Sequence, residues 1–384
     1  MSVSNYSVKP YSKLPLPQKT ILFGITMLKT VESLGEREVI SIITGHIGLQ
    51  NHLYKGVGHD AGFLDIEVGS DEVLAINTDR SGLNAAVKFG LDDGQCVGDF
   101  AISHAVSDIV ASGAKPISVA IAMLLPADTE ISFLGQVMVG IVDAAKRYGV
   151  TITGGDTKKN SEFALVVTAC GIAKKTHVLA RNTVKADDLL VVTGNLGSFL
   201  LGMYAKKNDI PLTLIESIVI DKALIEQRPP FDLGLKLSGT GLMNACTDIS
   251  DGLPAAIYNL CAASGLGCKI YDADIPVSSQ LKRIQELTQL SNSVLSSAGG
   301  DWEYLYAISP DSFNQLMKQM PELYESLSVI GTAESHGEFI IEKAGEDHYL
   351  INNENDSFKK SPSGRGHFAQ ILSGESTPLG DKVI

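Results

Sequence analysis

The chain has 384 residues, 44% of them hydrophobic and 20% charged, which is long for one core and ample for two. A formal net charge of −13 with only 6% aromatic residues argues against nucleic acid as a partner, and no run approaches the roughly 18 apolar residues of a membrane span. Five cysteines without a CxxC pair read as buried free thiols of a cytoplasmic protein.

Residues 1–34, rich in Ser, Pro and Lys at the start, read as an N-terminal extension. Its apolar stretch 21–28 is short, is flanked by Glu32 and Glu36, and lacks the cleavage site of a signal peptide. Val39, Ile40 and Ile43 predict a short amphipathic helix. The run 73–79 predicts a buried strand, 98–112 a helix, and 117–125 a central strand buried on both faces. A helix over 131–148 stops at Gly149, and strands follow at 150–152 and 163–172. The order strand, helix, strand, helix, strand, strand predicts an α/β or α+β domain over 35–175. A second α/β domain spans 176–352. In it a strand at 187–194 turns through Gly194 and Gly197 into a helix near 198–206, a helix rich in small residues covers 252–264, and strands lie near 268–271 and 305–308. The tail 353–384 reads as loosely structured.

Six aspartates share one setting: Asp60, Asp79, Asp108, Asp156, Asp248 and Asp251 each fall where an apolar run breaks into a turn of Gly, Ser or Thr. Carboxylates at element ends, beside residues that admit close backbone approach, suit hard cations such as Mg²⁺ carrying polyphosphate. One such Asp reads as a local turn cap; six weaken that reading. Asp156 follows Gly154 and Gly155, whose amides can approach phosphate oxygens, and Lys158 and Lys159 lie just beyond. Asp248 and Asp251 sit three residues apart where strand meets helix, with Ser250 between them. Capping and phosphate binding are compatible there. Arg181 reads either as a solvated arginine or as a guanidinium fork on phosphate. His59 either lines the metal site or packs beside it. Residues 193–197 resemble a phosphate-loop turn, although the chain has no Walker GxxxxGK[ST] and no GxSxG elbow.

The motifs occur in a telling order: Gly58-His59-Asp60-Ala61, Asn77-Thr78-Asp79, the run 107–116, Gly154-Gly155-Asp156-Thr157, Leu179-Ala180-Arg181, Val192-Thr193-Gly194, Asp248-Ile249-Ser250-Asp251-Gly252-Leu253 and Gly299-Gly300-Asp301-Trp302-Glu303. The series resembles the thiamine-monophosphate kinases, in a superfamily with aminoimidazole ribonucleotide synthetase, selenophosphate synthetase and the hydrogenase-maturation dehydratase. The resemblance implies a two-domain fold whose N-terminal sheets pair into a barrel across a homodimer, with ATP in a cleft near the interface. It implies that Asp60, Thr78, Asp79, Asp108, Asp156, Asp248 and Asp251 hold Mg²⁺. Gly155, Asp156, Arg181 and Ser250 would contact ATP, with Asp79, Asp156 and Asp251 as the catalytic carboxylates and Asp301 on the substrate.

The departures from the kinase pattern are His59 for Asp, Asn77 for Ser or Asp, Ala86 where a substrate-contacting His is usual, and Gly-Gly-Asp-Trp-Glu-Tyr for Gly-Gly-Glu-Asp-Tyr-Glu. The donor half is preserved and the acceptor half rewritten. The expected activity is ATP- and Mg²⁺-dependent phosphoryl transfer to thiamine phosphate or another small metabolite. The alternatives are a ligase that activates an amide or carboxylate oxygen by phosphorylation, and a nucleotide-binding regulator without catalysis.

Overall fold

The computed structural model describes residues 71–92, 94–353 and 366–383, with short pieces between positions 30 and 64. The stretches 21–28 and 58–60, with His59 and Asp60, lie outside the described residues. Two sheets organise the chain. The first contains β1 (Glu72–Ser81), β2 (Lys115–Leu125), β3 (Thr151–Lys159) and β4 (Ala164–Lys174), in the order β1-β4-β2-β3. Only β2 and β3 run parallel, because the helix α2 (Ile131–Tyr148) carries the chain across between them.

The helix α1 (Gln95–Ala111) and α2 cover one face of this sheet. Val119, Ile121 and Met123 of β2 and Leu165, Val167 and Ala169 of β4 are buried against them. The period of two along each strand fixes that choice of face. α1 is buried nearly all round, as a helix is when it packs on a sheet, on a second helix and on the other half of the molecule. α2 ends as expected, with Gly149 in the left-handed region at φ 65°.

The strand expected to be buried near 73–79 is instead an edge strand. Val73, Ala75, Asn77 and Asp79 share the helix-covered side, while Leu74 and Ile76 are 44% and 62% exposed on the other. A run of mostly apolar letters does not distinguish an edge from a centre. The open face was visible only once the neighbours were known.

The second sheet has eight strands: β5 (Leu189–Thr193), β6 (Ala245–Asp248), β7 (Gly267–Tyr271), β8 (Tyr304–Ile308), β9 (Leu327–Glu334), β10 (Phe339–Lys343), β11 (Glu346–Leu350) and β12 (Leu379–Lys382). Their order is β12-β11-β10-β7-β9-β5-β8-β6. Helices α3 (Ser198–Lys207), α4 (Leu214–Ile225) and α5 (Leu253–Cys261) belong to this half. The tail is not loose where it is described. α6 (His367–Leu372) buries Ile371 and sets Phe368 against Phe199, and β12 pairs with β11. These elements are too short to show in local propensity and are held by tertiary contact. Neither sheet closes on itself.

The two halves meet along α1. Asp99 takes paired hydrogen bonds from Arg147 of α2 (3.1 and 2.6 Å) and from Arg228, just before the helix Phe231–Gly239 of the second half (3.0 and 2.9 Å). Burial alone would raise the Asp99 pKa, but the two guanidinium forks outweigh it and hold the carboxyl below its ordinary value. Ser107, also on α1, donates to Asp248 at the end of β6 (3.0 Å). The seam between the halves is therefore polar and fully hydrogen-bonded at these points.

Candidate active site

At that seam lies a cleft of about 340 Å³. Asp79 of β1 and His104 and Asp108 of α1 line one side; Arg181, Asp248, Ser250, Asp251 and Asn259 line the other, with Trp302 between. Local structure explains the convergence. Asp79 points to the helix-covered side of β1. Asp108 sits in the last turn of α1, and His104 lies one turn earlier on the same face. Asp248 ends β6, and Ser250 and Asp251 occupy the turn into α5. That turn requires Gly252, whose φ is 92° and where a Cβ would run into the Ser297 carbonyl oxygen.

The carboxylates are crowded. Asn77 places one amide nitrogen between Asp79 (2.7 Å to Oδ2) and Asp108, donating to both. Burial, Asp248 and Asp79 together push the Asp108 carboxyl up to about 8. Asp248 is 5% exposed and is raised by burial, against the pull of His104, Ser107 and Arg181. Its oxygens accept from Ser107 and, at 3.4 Å, from Ser250. His104 Nε2 stands 4.0 Å from Asp79 Oδ1. No three acidic, histidine or cysteine side chains among the described residues yet converge at ligand distance. The donor set is nonetheless all carboxylate oxygen, the set a hard divalent cation takes. Two of its members resist ionising beside each other, and a cation would remove that conflict.

Of the residues expected from the sequence, the cleft gathers Asp79, Asp108, Arg181, Asp248, Ser250 and Asp251. Four others lie elsewhere. The Thr78 hydroxyl is on the open sheet face against Thr168 (2.9 Å). Gly155 and Asp156 lie within β3 rather than in a turn, on the opposite edge from Asp79, three strand spacings or roughly 14 Å away. Asp301 is not turned to the cleft either. Its oxygens accept from the backbone N–H groups of Gly197 (2.6 Å) and Phe199 (2.9 Å), capping α3 from a distance. The phosphate-loop-like turn at 193–197 thus holds an anion of its own chain. Burial lifts the Asp301 carboxyl to about 6 despite those amides.

His104 and Asn259 were not anticipated. His104 had a signal, its i, i+4 spacing to Asp108 on one helix; Asn259 had none. α6 also nears the site, since Asp251 partly offsets the lowering of the His367 pKa by burial.

Two family descriptions match the chain, "AIR synthase related protein, N-terminal domain" over residues 58–173 and "AIR synthase related protein, C-terminal domain" over 185–343. The chain belongs to the AIR synthase related family. Within that family its likeness is to thiamine-monophosphate kinases. That of Pyrococcus abyssi is 28% identical over 290 residues, covering 74% of this chain and 86% of the relative. That of Synechococcus elongatus is 26% identical over 301 residues, covering 77% and 88%.

Among solved structures, AaThiL complexed with AMPPCP and TMP superposes with a TM-score of 0.61 at 25% identity, over 83% of this chain and 96% of that one. The thiamine-monophosphate kinase of Stenotrophomonas maltophilia gives 0.67 at 23%, over 80% and 97%. The E. coli hydrogenase maturation protein HypE gives 0.67 at 20%, over 84% and 98%. The family's mixed α/β two-domain fold is therefore the fold of this chain. Among the described residues no helix is long and apolar enough to cross a membrane.

Proposed function

We propose that the protein is an ATP-dependent kinase that transfers the γ-phosphoryl group to a small acceptor, with Mg²⁺ held by Asp79, Asp108, Asp248 and Asp251. The carrying observation is the cleft itself. Four carboxylates from both halves of the chain face one space with Arg181, and two of them carry raised pKa values. Raised carboxylates crowded into one cleft mark a functional site more readily than a structural network does.

When bound, Mg²⁺ neutralises charge on the phosphate oxygens. The chain's own residues do the rest. Asn77 fixes the spacing of Asp79 and Asp108, and Ser107 orients Asp248. Arg181 offers a planar fork to phosphate oxygens. Ser250 and the amides opening α5 meet the phosphate chain at a helix N-terminus. Asp60, Thr78, Gly155 and Asp156 enter the proposal by resemblance. Asp156 stands across the sheet from Asp79, so a homodimer that pairs the open sheet faces around Leu74 and Ile76 belongs to the same reading. Asp301 acts here by positioning its neighbour.

Thiamine monophosphate is the first acceptor to test, since AaThiL was crystallised with TMP. The usual substrate-side His is Ala86 here, fully buried, so other small phosphate esters and alcohols follow. The test is ADP release from MgATP across such acceptors. Nucleotide binding with no ADP release on any of them would sink the kinase reading in favour of a regulator. Free phosphate with an amidated or dehydrated product would mark the ligase chemistry instead.

A further inference from the structure

His104 lines the cleft, and the phosphoryl chemistry above leaves it without a role. It sits on α1 one turn before Asp108. Its side chain and that of Asp79 remain 20% and 25% exposed. The two ring nitrogens have different surroundings. Nδ1 is buried with no hydrogen-bond partner among the described residues, while Nε2 stands 4.0 Å from Asp79 Oδ1. The open part of the ring is therefore its Nε2 end, turned towards a carboxylate that itself lines the cleft.

That setting places the proton. In a neutral imidazole one nitrogen carries it, and what each nitrogen faces decides which. A carboxylate oxygen favours the proton on Nε2, and nothing favours it on Nδ1. In the charged ring both nitrogens are protonated, so Nε2 carries a hydrogen in either state. At 4.0 Å Asp79 is beyond hydrogen-bond reach, which leaves that donor for something in the cleft. Two contacts of about 3 Å that meet at one oxygen in roughly a right angle span about 4 Å. The gap thus has the size for a single oxygen accepting from Nε2.

The ring is also walled in. Phe100, one turn earlier on α1, lies 5.6 Å away between centroids, and Trp302 meets the imidazole edge-on at 4.8 Å. Arg181 lines the same cleft from the second half of the chain. A phosphate chain between them would meet one donor from each half.

We infer that His104 contacts the substrate, its imidazole Nε2–H donating to an oxygen of the ATP triphosphate where it lies beside Asp79. The inference rests on the kinase reading and gives the first half of the chain a direct hold on the nucleotide.

The test uses the full chain, labelled with ¹⁵N-histidine and titrated with Mg²⁺ and the non-hydrolysable analogue AMPPCP, with calorimetry to report binding. The His104 resonances are assigned by their loss in His104→Gln. The Nε2 signal should show a bound proton in the free protein and should move as the analogue binds. His104→Leu keeps bulk and removes the donor. It should bind AMPPCP roughly ten- to a hundredfold more weakly, the range of a hydrogen bond to a charged group. His104→Gln, which keeps a side-chain N–H, should recover most of that loss.

An unmoved Nε2 signal at saturating AMPPCP overturns the inference even if the leucine variant fails to fold. So does a folded His104→Leu that binds AMPPCP as the wild type does, and so do equal losses in both variants, which would mark a packing role. Mn²⁺ in place of Mg²⁺ separates a donor from a ligand. A ¹⁴N coupling of directly bound imidazole in pulsed EPR, lost in His104→Leu, would put His104 on the ion and overturn the inference as well. No binding of AMPPCP by wild-type protein brings down the kinase reading itself, and this inference with it.

Discussion

Asp108→Asn should make the metal-free protein more stable and the enzyme inactive. In the folded state the Asp108 carboxyl is pushed up to about 8 by burial and by Asp248 and Asp79, from an ordinary 3.8. Folding at neutral pH therefore takes up close to one proton. Over the roughly three units between 3.8 and pH 7, at about 1.4 kcal/mol each, the cost is about 4 kcal/mol. The sign follows from linkage. Between pH ~4 and ~8 the folded state binds more protons than the unfolded one, so stability falls as pH rises through that window.

Asparagine is close in shape, keeps an oxygen to accept from Asn77, and does not ionise. Asp248 shares the repulsion, so the gain should be about 2–4 kcal/mol, or roughly 5–10 °C in Tm for a chain of this size. Calorimetric melts in EDTA at several pH values check it, and the variant should show a flatter pH profile. Added Mg²⁺ and ATP should narrow the gap by stabilising only the wild type. A lower Tm in EDTA, or an unchanged pH dependence, would refute the account of a cleft whose carboxylates oppose one another.

Glu303, pushed up to about 8 by burial, should add a second slope of the same sign. Its stabilisation is present below about pH 4.5 and lost as pH rises towards 8, and Glu303→Gln should flatten that part of the urea-denaturation profile. Asp99→Asn leaves Arg147 and Arg228 facing a neutral group at the seam. It should cost about 3 kcal/mol by the same denaturation assay. Ile76→Asp on the open sheet face should leave the Tm of each chain nearly unchanged while shifting sedimentation toward monomer; a persistent dimer would remove that face from the interface. Gly252→Ala should depress ADP formation at least tenfold, since the added Cβ meets the Ser297 carbonyl and displaces the Ser250–Asp251 turn.

Much of the N-terminal half was legible in the chain. The helical period over 131–148 ended at a glycine, and the element order followed from it. Five of the cleft-lining residues were legible for a different reason. Asp79, Asp108, Asp248, Ser250 and Asp251 lie at or near the ends of elements whose periodicity is strong, so their side was set by the element. Asp156 and Asp301 show the limit. Both follow a pair of glycines; Asp156 reads as a turn carboxylate and Asp301, by resemblance, as a substrate contact, yet one lies within an edge strand and the other faces inward to cap α3. A Gly-Gly-Asp string tells that backbone will come close, without telling whose. The helix α4 was missed for a related reason. Leu214, Ile215 and Ile218 lie exposed, so its apolar letters do not trace one buried stripe.

The carboxylate of Asp301 at the start of α3 has a consequence for how the family's scaffold can diversify. A glycine turn opening a helix is the usual lodging for a ligand's phosphate, and in this chain the lodging has a permanent tenant. The turn is held by a carboxylate of its own chain, so changes in substrate preference can accumulate on the cleft walls without loosening the frame that presents them. Replacing Asp301 by a neutral residue would open a vacant anion socket in the interior, one covalent bond away from the only indole in the molecule.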